Sequence, residues 1–356
     1  GGEAAEKPGD TRLYDIAQHS TIHDICFLDL EPVESLSQCV HPARRLFRTG
    51  SSHAPPRLQH RNLQRLVEVH GLVIPDIAAH LSYYVDDKEG EELPGERLDP
   101  VVSSTPAARG KGDLFAAEAK RLIEKELGIS LADLASAELE LVPAASPRDV
   151  GLDRALIGGY GQDDRACAYA ALQALWSAKQ PKHTAIVLLL DKEEVGSAGN
   201  SGAQSSFFQR VIAELLEGQG TTSTAANISK VFANSLVFSA DVSGAVNPHY
   251  PGLYDKKNAA FTGAGIIWDQ SAVHAELLAY VRTLLDDAGV IHQPANWGKT
   301  RGSKGDTGTV LEFFTRLGMN GLDVSIPLLS MHSTFELISK ADLYEGYRAY
   351  QAFLQD

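Results

Sequence analysis

The chain has 356 residues, of which 44% are hydrophobic and 22% charged, and its formal net charge is -14. A chain of this length can bury a large core, so we expect one large domain with an insertion, or two domains. The negative charge argues against nucleic acids and anionic membranes as partners. Three scattered cysteines exclude a disulfide framework, and no apolar run approaches the roughly 20 residues of a spanning helix. Without signal-peptide features, these properties predict a cytoplasmic protein.

The first third of the chain has the weakest pattern. Residues 1–70 are rich in His, Arg, Ser, Pro and Gln, and no helical or strand periodicity persists there. Short helices are predicted at 63–69 and 74–84, the second with Pro75 in its first turn. The stretch 86–112 is rich in Gly, Pro, Ser and charged residues, which predicts an exposed loop or linker.

From residue 113 onward the hydrophobic pattern is strong, and helices alternate with strands. We predict strands at 137–142, 186–190, 235–240, 263–268 and 323–329. We predict helices at 114–127 (with Gly128 as the stop), 166–178, 203–216, 272–285, 309–317 and 343–354. This alternation indicates an α/β fold with a mixed, largely parallel sheet flanked by helices.

The buried strand predicted at 186–190 is followed at once by Asp191, Glu193 and Glu194. Open α/β sheets place their ligand crevices at the carboxyl ends of such strands. Carboxylates against a buried strand are costly unless a positive charge lies between them, so a metal site is one interpretation. On this stretch alone, an exposed acidic turn explains the sequence equally well.

Three further polar clusters lie beside predicted strands or at a helix start. Asp163 precedes the helix at 166–178, Asp241 follows the strand at 235–240, and His332 follows the strand at 323–329. Taken singly, acidic residues at helix N-termini and lone histidines are usually structural. Considered together, these clusters should lie close to one another, because the strand ends of one sheet converge on one edge. Carboxylates and imidazole without thiolates suit a divalent ion such as zinc, cobalt or manganese.

Other catalytic motifs do not fit this chain. It contains no Gly-x-Ser-x-Gly elbow, no P-loop and no dinucleotide fingerprint, so serine hydrolases and nucleotide-dependent enzymes become less plausible. A Gly-rich run at 302–309 precedes a predicted helix and could bind an anion, but this feature alone has low specificity.

These motifs occur in the order found in one family. The chain resembles the dinuclear-zinc aminopeptidases of the aspartyl aminopeptidase and vacuolar aminopeptidase type, and its bacterial members most. The matching stretches are 137–143, 148–154, 159–165, 191–197, 202–205, 239–242, 247–250 and 329–333. The similarity is nearly continuous from residue 113 to the last residue. It implies a zinc-peptidase-like catalytic domain that removes N-terminal residues from peptides.

The resemblance also implies roles for individual residues. Asp163 would bridge two divalent metal ions, zinc first and cobalt or manganese as alternatives, and the terminal ligands would be Glu194, Asp241 and His332. Glu193 would be the general base for a water activated by the two metals. Asp164, Arg165 and Asp191 would support the ligands. The implied partners are peptides with a free N-terminus and further copies of the chain, since the family forms dodecamers.

The N-terminal third departs from the family pattern. The first histidine ligand of the family lies in a His-x-Asp-x-Pro loop, which this chain lacks; His53 is the best substitute, and His23 is a poorer one. We therefore predict three segments: 1–57 as the N-terminal part of the catalytic domain, 58–112 as a reduced inserted oligomerisation domain, and 113–356 as the metallopeptidase domain.

Two alternatives to an aminopeptidase stay open. Without the first histidine ligand and its orienting Asp, the chain could be a catalytically impaired relic or a binding protein of the same fold. It could also be another dinuclear-metal hydrolase, such as a deacylase or a carboxypeptidase.

Overall fold

The computed structural model describes residues 24–30, 99–128, 130–137, 142–255, 257–269, 274–295 and 309–356. The helices predicted at 63–69 and 74–84 lie outside the described residues. So do His53, nearly all of the Gly-rich run and most of the strand predicted at 137–142. The chain divides into two compact units, one formed by Gly1–Pro42 with Ala145–Asp356 and the other by Ala43–Ala144. The predicted identities of the three segments remain predictions.

In the unit Ala43–Ala144, the structure describes two helices, α1 (Leu114–Leu127) and α2 (Leu131–Leu134). The Asp113 side chain caps the start of α1 by accepting two backbone N–H groups, and Gly128 ends it in the left-handed conformation at φ 68°. These are the usual residue types at helix ends, and they confirm the predicted helix and its stop. Residues 99–112 form neither helix nor strand, as predicted.

In the larger unit, the described residues form a ten-stranded sheet. Its strands are β1 (Asp24–Leu30), β2 (Arg148–Val150), β3 (Leu156–Gly159), β4 (Thr184–Leu190), β5 (Ser235–Ala240), β6 (Val242–Gly244), β7 (Ile266–Asp269), β8 (His292–Ala295), β9 (Asn320–Leu329) and β10 (Glu336–Ser339). The main path of the sheet is β2-β3-β10-β9-β5-β1-β4, while β6 and β7 also pair with β9, and β8 pairs with β7.

Six helices that the structure describes in the same unit flank this sheet. They are α3 (Gln162–Ser177), α4 (Phe207–Gly218), α5 (Ala225–Ala233), α6 (Ala275–Asp287), α7 (Leu311–Thr315) and α8 (Lys340–Gln355). The predicted helices at 166–178, 203–216, 272–285, 309–317 and 343–354 correspond to five of them. The short helix α5 and the strands β1, β2, β3, β6, β8 and β10 were not predicted. Among the described residues, no helix is long and apolar enough to cross a membrane.

The sheet is mixed, which confirms the predicted α/β class, but fewer of its pairs are parallel than we expected. Parallel pairing joins β5 to β9, β6 to β9 and β7 to β8, whereas the other described pairs are antiparallel. The reason is that β1 lies between β4 and β5, and β10 lies between β3 and β9. Each inserted strand runs opposite to both of its neighbours. The strands β3, β4, β5 and β9 therefore share one direction, and their carboxyl ends lie at one edge.

The sheet separates two hydrophobic cores. Val237 belongs to the core with α4, α5 and α7, whereas its neighbour Phe238 belongs to the core with α3, α6 and α8. Because successive side chains of a strand point to opposite faces, this alternation places helices on both faces. Phe238 stacks on Phe353 of α8 with ring centroids 3.8 Å apart, which fixes α8 against the centre of the sheet.

Candidate metal centre

The predicted site residues follow strands that share one direction. Asp163 lies in the first turn of α3, just after β3, and Glu193 and Glu194 lie in a single helical turn, Glu193–Val195, after β4. Asp241 follows β5, and His332 lies in the turn between β9 and β10. The common direction of these strands brings the polar residues to one edge of the sheet.

Three of these side chains form a compact group, Asp163, Glu194 and His332. The His332 Nε2 atom lies 3.1 Å from Asp163 Oδ2 and 3.1 Å from Glu194 Oε1. The three atoms all lie within 4.8 Å of one another, and no other described residues form such a group of possible ligands. A tetrahedral zinc ion with bonds of about 2.0–2.2 Å separates its ligand atoms by about 3.3–3.6 Å. The group therefore has nearly the spacing of a zinc site.

The electrostatics of the group favour a cation. The pKa of Asp163 is raised to about 7, first by burial and then by the carboxylates of Glu194 and Glu336, while His332 acts to lower it. Within the described part of the chain, His332 is the only basic residue paired with either Asp163 or Glu194. Closely spaced carboxylates with so little positive charge are stabilised by a divalent ion. The donor set of two carboxylates and one imidazole fits zinc.

Glu193 is placed beside this group but is not part of it. Its half-buried side chain has a pKa above the ordinary value, because burial and then the Glu194 carboxylate disfavour its charged form. The turn is bracketed by Lys192 at φ 67° and Gly196 at φ 90°, and the Ser197 N–H donates to the Lys192 carbonyl over 2.6 Å. This tight turn holds Glu193 and Glu194 at the end of β4.

Asp191 supports the loop that follows the same strand. Its carboxylate accepts the Ser201 hydroxyl at 2.8 Å, and its backbone N–H donates to the Ser201 carbonyl at 3.3 Å. These two bonds close the loop 191–201, and the role of Asp191 in supporting the ligands stays a prediction.

Asp241 and Asp164 lie outside the group of three. Asp241 is partly buried, and its Oδ1 atom accepts the Val242 N–H at 2.6 Å. Asp164 is fully buried, and its pKa lies well above the ordinary value because of burial and of the nearby Cys167 and Asp241. The ligand roles of Asp241 and His53 remain predictions.

Sequence reasoning missed Glu336 and Gln162. The Glu336 carboxylate is buried and accepts the backbone N–H groups of Gln162 at 2.7 Å, Asp163 at 3.2 Å and His332 at 2.9 Å. The Gln162 side chain donates to the carbonyls of Glu336 and Ile157. The available clue was an acidic residue four positions after the candidate ligand His332.

Comparison with known proteins identifies the family. Residues 56–354 match the family model described as Aminopeptidase I zinc metalloprotease (M18). The probable M18 family aminopeptidase 1 of Thermotoga maritima is 40% identical over 292 residues, which cover 79% of this chain and 64% of that protein. The Clostridium acetobutylicum protein of the same name is 36% identical over 295 residues, covering 80% of this chain and 63% of that protein.

Solved structures agree with this assignment. The M18 aminopeptidase from Thermotoga maritima superposes with a TM-score of 0.75 at 39% identity, covering 80% of this chain and 64% of that one. The Saccharomyces cerevisiae mApe1 dodecamer shares the fold, with a TM-score of 0.53 at 22% identity, over 71% of this chain and 58% of that one. The chain spans less than two thirds of the length of these relatives. The family match confirms the resemblance: this chain belongs to the M18 family of peptidases.

Proposed function

We propose that the chain is a metal-dependent aminopeptidase in which Asp163, Glu194 and His332 hold a zinc ion. The observation that carries the proposal is the convergence of these three ligand atoms within 4.8 Å of one another. Membership of a family of zinc metalloproteases supports it. When bound, the ion supplies Lewis acidity, which lowers the pKa of a coordinated water and polarises the scissile carbonyl.

Glu193 is the proposed general base. It lies in the same helical turn as Glu194, and its pKa is raised above that of an ordinary glutamate. A carboxylate whose pKa is closer to neutral can both accept and return a proton at neutral pH. In the reaction, Glu193 accepts the proton of the attacking water and then donates it to the leaving amine.

The substrates we propose are peptides with a free N-terminus. A positively charged α-amino group can pair with a carboxylate of this site. An acylated N-terminus has no such charge. This difference separates an aminopeptidase from a deacylase, which acts on blocked substrates.

A second metal ion is part of the proposal. Asp163 would bridge the two ions, with Asp241 and His53 completing the second. We also propose a homo-oligomer, since the Saccharomyces cerevisiae relative is described as a dodecamer. A cytoplasmic location is proposed from the acidic composition and the three scattered cysteines.

Replacement of Glu193 tests the mechanism. We expect Glu193→Ala and the nearly isosteric Glu193→Gln to lower turnover of an aminoacyl p-nitroanilide by about 10²–10⁴-fold, the usual contribution of a general base. Zinc content, measured by mass spectrometry, is expected to stay at the wild-type level. Glu276→Ala, an exposed substitution in α6, is the matched control. Undiminished turnover in Glu193→Gln would remove Glu193 from the mechanism.

Zinc content and substrate choice test the wider assignment. Two ions per wild-type chain and cleavage of free but not acetylated substrates are the expected results. One ion or none, without turnover, would identify a relic of the family, and cleavage of acetylated substrates would identify a deacylase.

A further inference from the structure

Glu336 connects the two backbone turns that carry Asp163 and His332. It begins β10 and is only 2% exposed, yet it is not one of the three grouped ligands. Its Oε2 atom accepts the N–H groups of Gln162 and Asp163, and its Oε1 atom accepts the N–H of His332. One carboxylate therefore joins the turn at His332 to the turn at Gln162, which lies 174 positions before Glu336 in sequence.

The turn that contains His332 depends on such support. Both Ser330 and His332 have φ 61°, a left-handed backbone conformation that residues other than glycine rarely adopt. Within this turn, the Ser333 N–H donates to the Ser330 carbonyl at 3.1 Å, and the His332 N–H is bonded to Glu336. The carboxylate thus fixes the backbone of His332 in a conformation that the local sequence does not favour.

The turn that contains Asp163 is held by the same residue. Asp163 has φ -78° and ψ 106°, so its backbone is extended, and it lies in the first turn of α3, where N–H groups have no intrahelical acceptor. Glu336 supplies that acceptor, and the side chain of Gln162 adds a bond to the Glu336 carbonyl at 2.6 Å. The positions of Asp163 and His332 relative to each other are therefore set through Glu336.

We propose that Glu336 is a positioning residue that holds Asp163 and His332 at the separation needed to bind a divalent cation. The proposal rests on the proposed metal site. It predicts that Glu336 acts on metal affinity beyond its contribution to folding, because misplaced ligands bind a metal more weakly even in a folded protein.

Two conservative variants test this. Glu336→Gln keeps the length of the side chain but replaces one acceptor oxygen with a donor, so that one of the two turns loses its partner. Glu336→Asp keeps the charge but is one methylene shorter, so that it cannot reach both turns. We expect each to weaken zinc binding by about 10–100-fold, the usual effect of losing a group that orients a ligand. Affinity is measured by competition with a chromophoric chelator.

Asp342→Asn is the matched control. Asp342 is also fully buried, and it accepts two backbone N–H groups, those of Gly263 and Gly265 at 2.6 and 2.8 Å. It contacts none of the grouped ligands in the described bonds, so its replacement should lower the melting temperature and leave zinc affinity unchanged. Absorption of the cobalt-loaded protein gives a second readout, because it reports the geometry of the ligands.

The outcomes separate the two proposals. Weaker zinc binding and altered cobalt absorption in folded Glu336 variants, but not in Asp342→Asn, support the positioning role. Wild-type affinity in both Glu336 variants, with only a lower melting temperature, overturns it and leaves the metal site intact. Failure of the wild-type chain to bind zinc overturns the metal site itself.

Discussion

Asp163 and Asp164 are adjacent in sequence, but their side chains lie in opposite environments. The Asp163 side chain is 11% exposed and lies 3.1 Å from the imidazole of His332. Asp164 is fully buried beside Cys167, and no N–H or O–H donor from the described residues reaches either of its oxygens. Burial raises the pKa of both. The second cause is the Glu194 carboxylate for Asp163 and the Cys167 thiol for Asp164.

The backbone explains the difference between these neighbours. Asp163 is extended, and Asp164, at φ -114° and ψ 33°, also departs from helical geometry, so the two side chains leave the chain in different directions. One reaches the candidate metal site, where a cation can compensate its charge. The other enters the core, where an uncompensated charge is costly and burial raises the pKa of the acid. Residue type alone therefore does not assign a carboxylate to a metal site.

Alkylation of Cys167 measures how far the core around Asp164 is closed to solvent. This thiol is fully buried, and burial raises its pKa to about 12. At pH 8 such a thiol is about one part in 10,000 thiolate, against roughly a quarter for an ordinary cysteine. We expect iodoacetamide to modify Cys167 at least about 1,000-fold more slowly in the native protein than in urea, as followed by mass spectrometry of the Cys167 peptide. Similar rates of modification in the two conditions would show that the core around Cys167 and Asp164 is open to solvent.

The two aspartates should respond differently to the same substitution. Asp163→Asn removes a charged ligand and should weaken zinc binding by more than about 100-fold. Asp164→Asn replaces a buried acid outside the group of three with an amide of the same size, so zinc affinity should match the wild type. Chelator competition on both variants, with circular dichroism to confirm folding, makes the comparison. Equal losses of affinity would mean that Asp164 also belongs to the metal site.

The longer elements of the fold could be predicted from local sequence. The strand at 235–240 and the helix at 114–127 have clear apolar periods, and the caps Asp113 and Gly128 mark the ends of that helix. By contrast, the strands β2, β3 and β10 were not predicted, because they are only three or four residues long and so show no clear apolar period. Gly158 in β3 is needed because a Cβ atom there would lie 2.3 Å from the Phe335 ring, a contact that only the folded chain shows.

The candidate site was predictable only in part, for a related reason. Asp163, Glu194 and His332 each follow a strand, and strand ends of one direction meet at one edge, so the sequence pattern indicated their proximity. Glu336 could not be recognised in this way, because it bonds to backbone N–H groups that carry no sequence pattern. The mixed order of strands was also hidden, since β1 and β10 join the sheet through pairings with distant segments.

The smallest effect is expected from a substitution at Tyr350, which tests whether the core around Asp164 is independent of the candidate metal site. Tyr350 is fully buried on α8, close to Asp164 and Cys167, and its hydroxyl donates to the Val324 carbonyl at 2.8 Å. Tyr350→Phe should lower the free energy of unfolding by about 1 kcal/mol, the usual value of such a hydrogen bond, as measured by urea denaturation.

Tyr344→Phe, at a 58% exposed position of the same helix, should leave the free energy of unfolding near the wild-type value. Both variants should bind zinc like the wild type if the core beneath Asp164 only supports the fold. A loss of zinc affinity in Tyr350→Phe would instead show that packing around Asp164 sets the position of Asp163. The two aspartates would then act as one unit, despite their different environments.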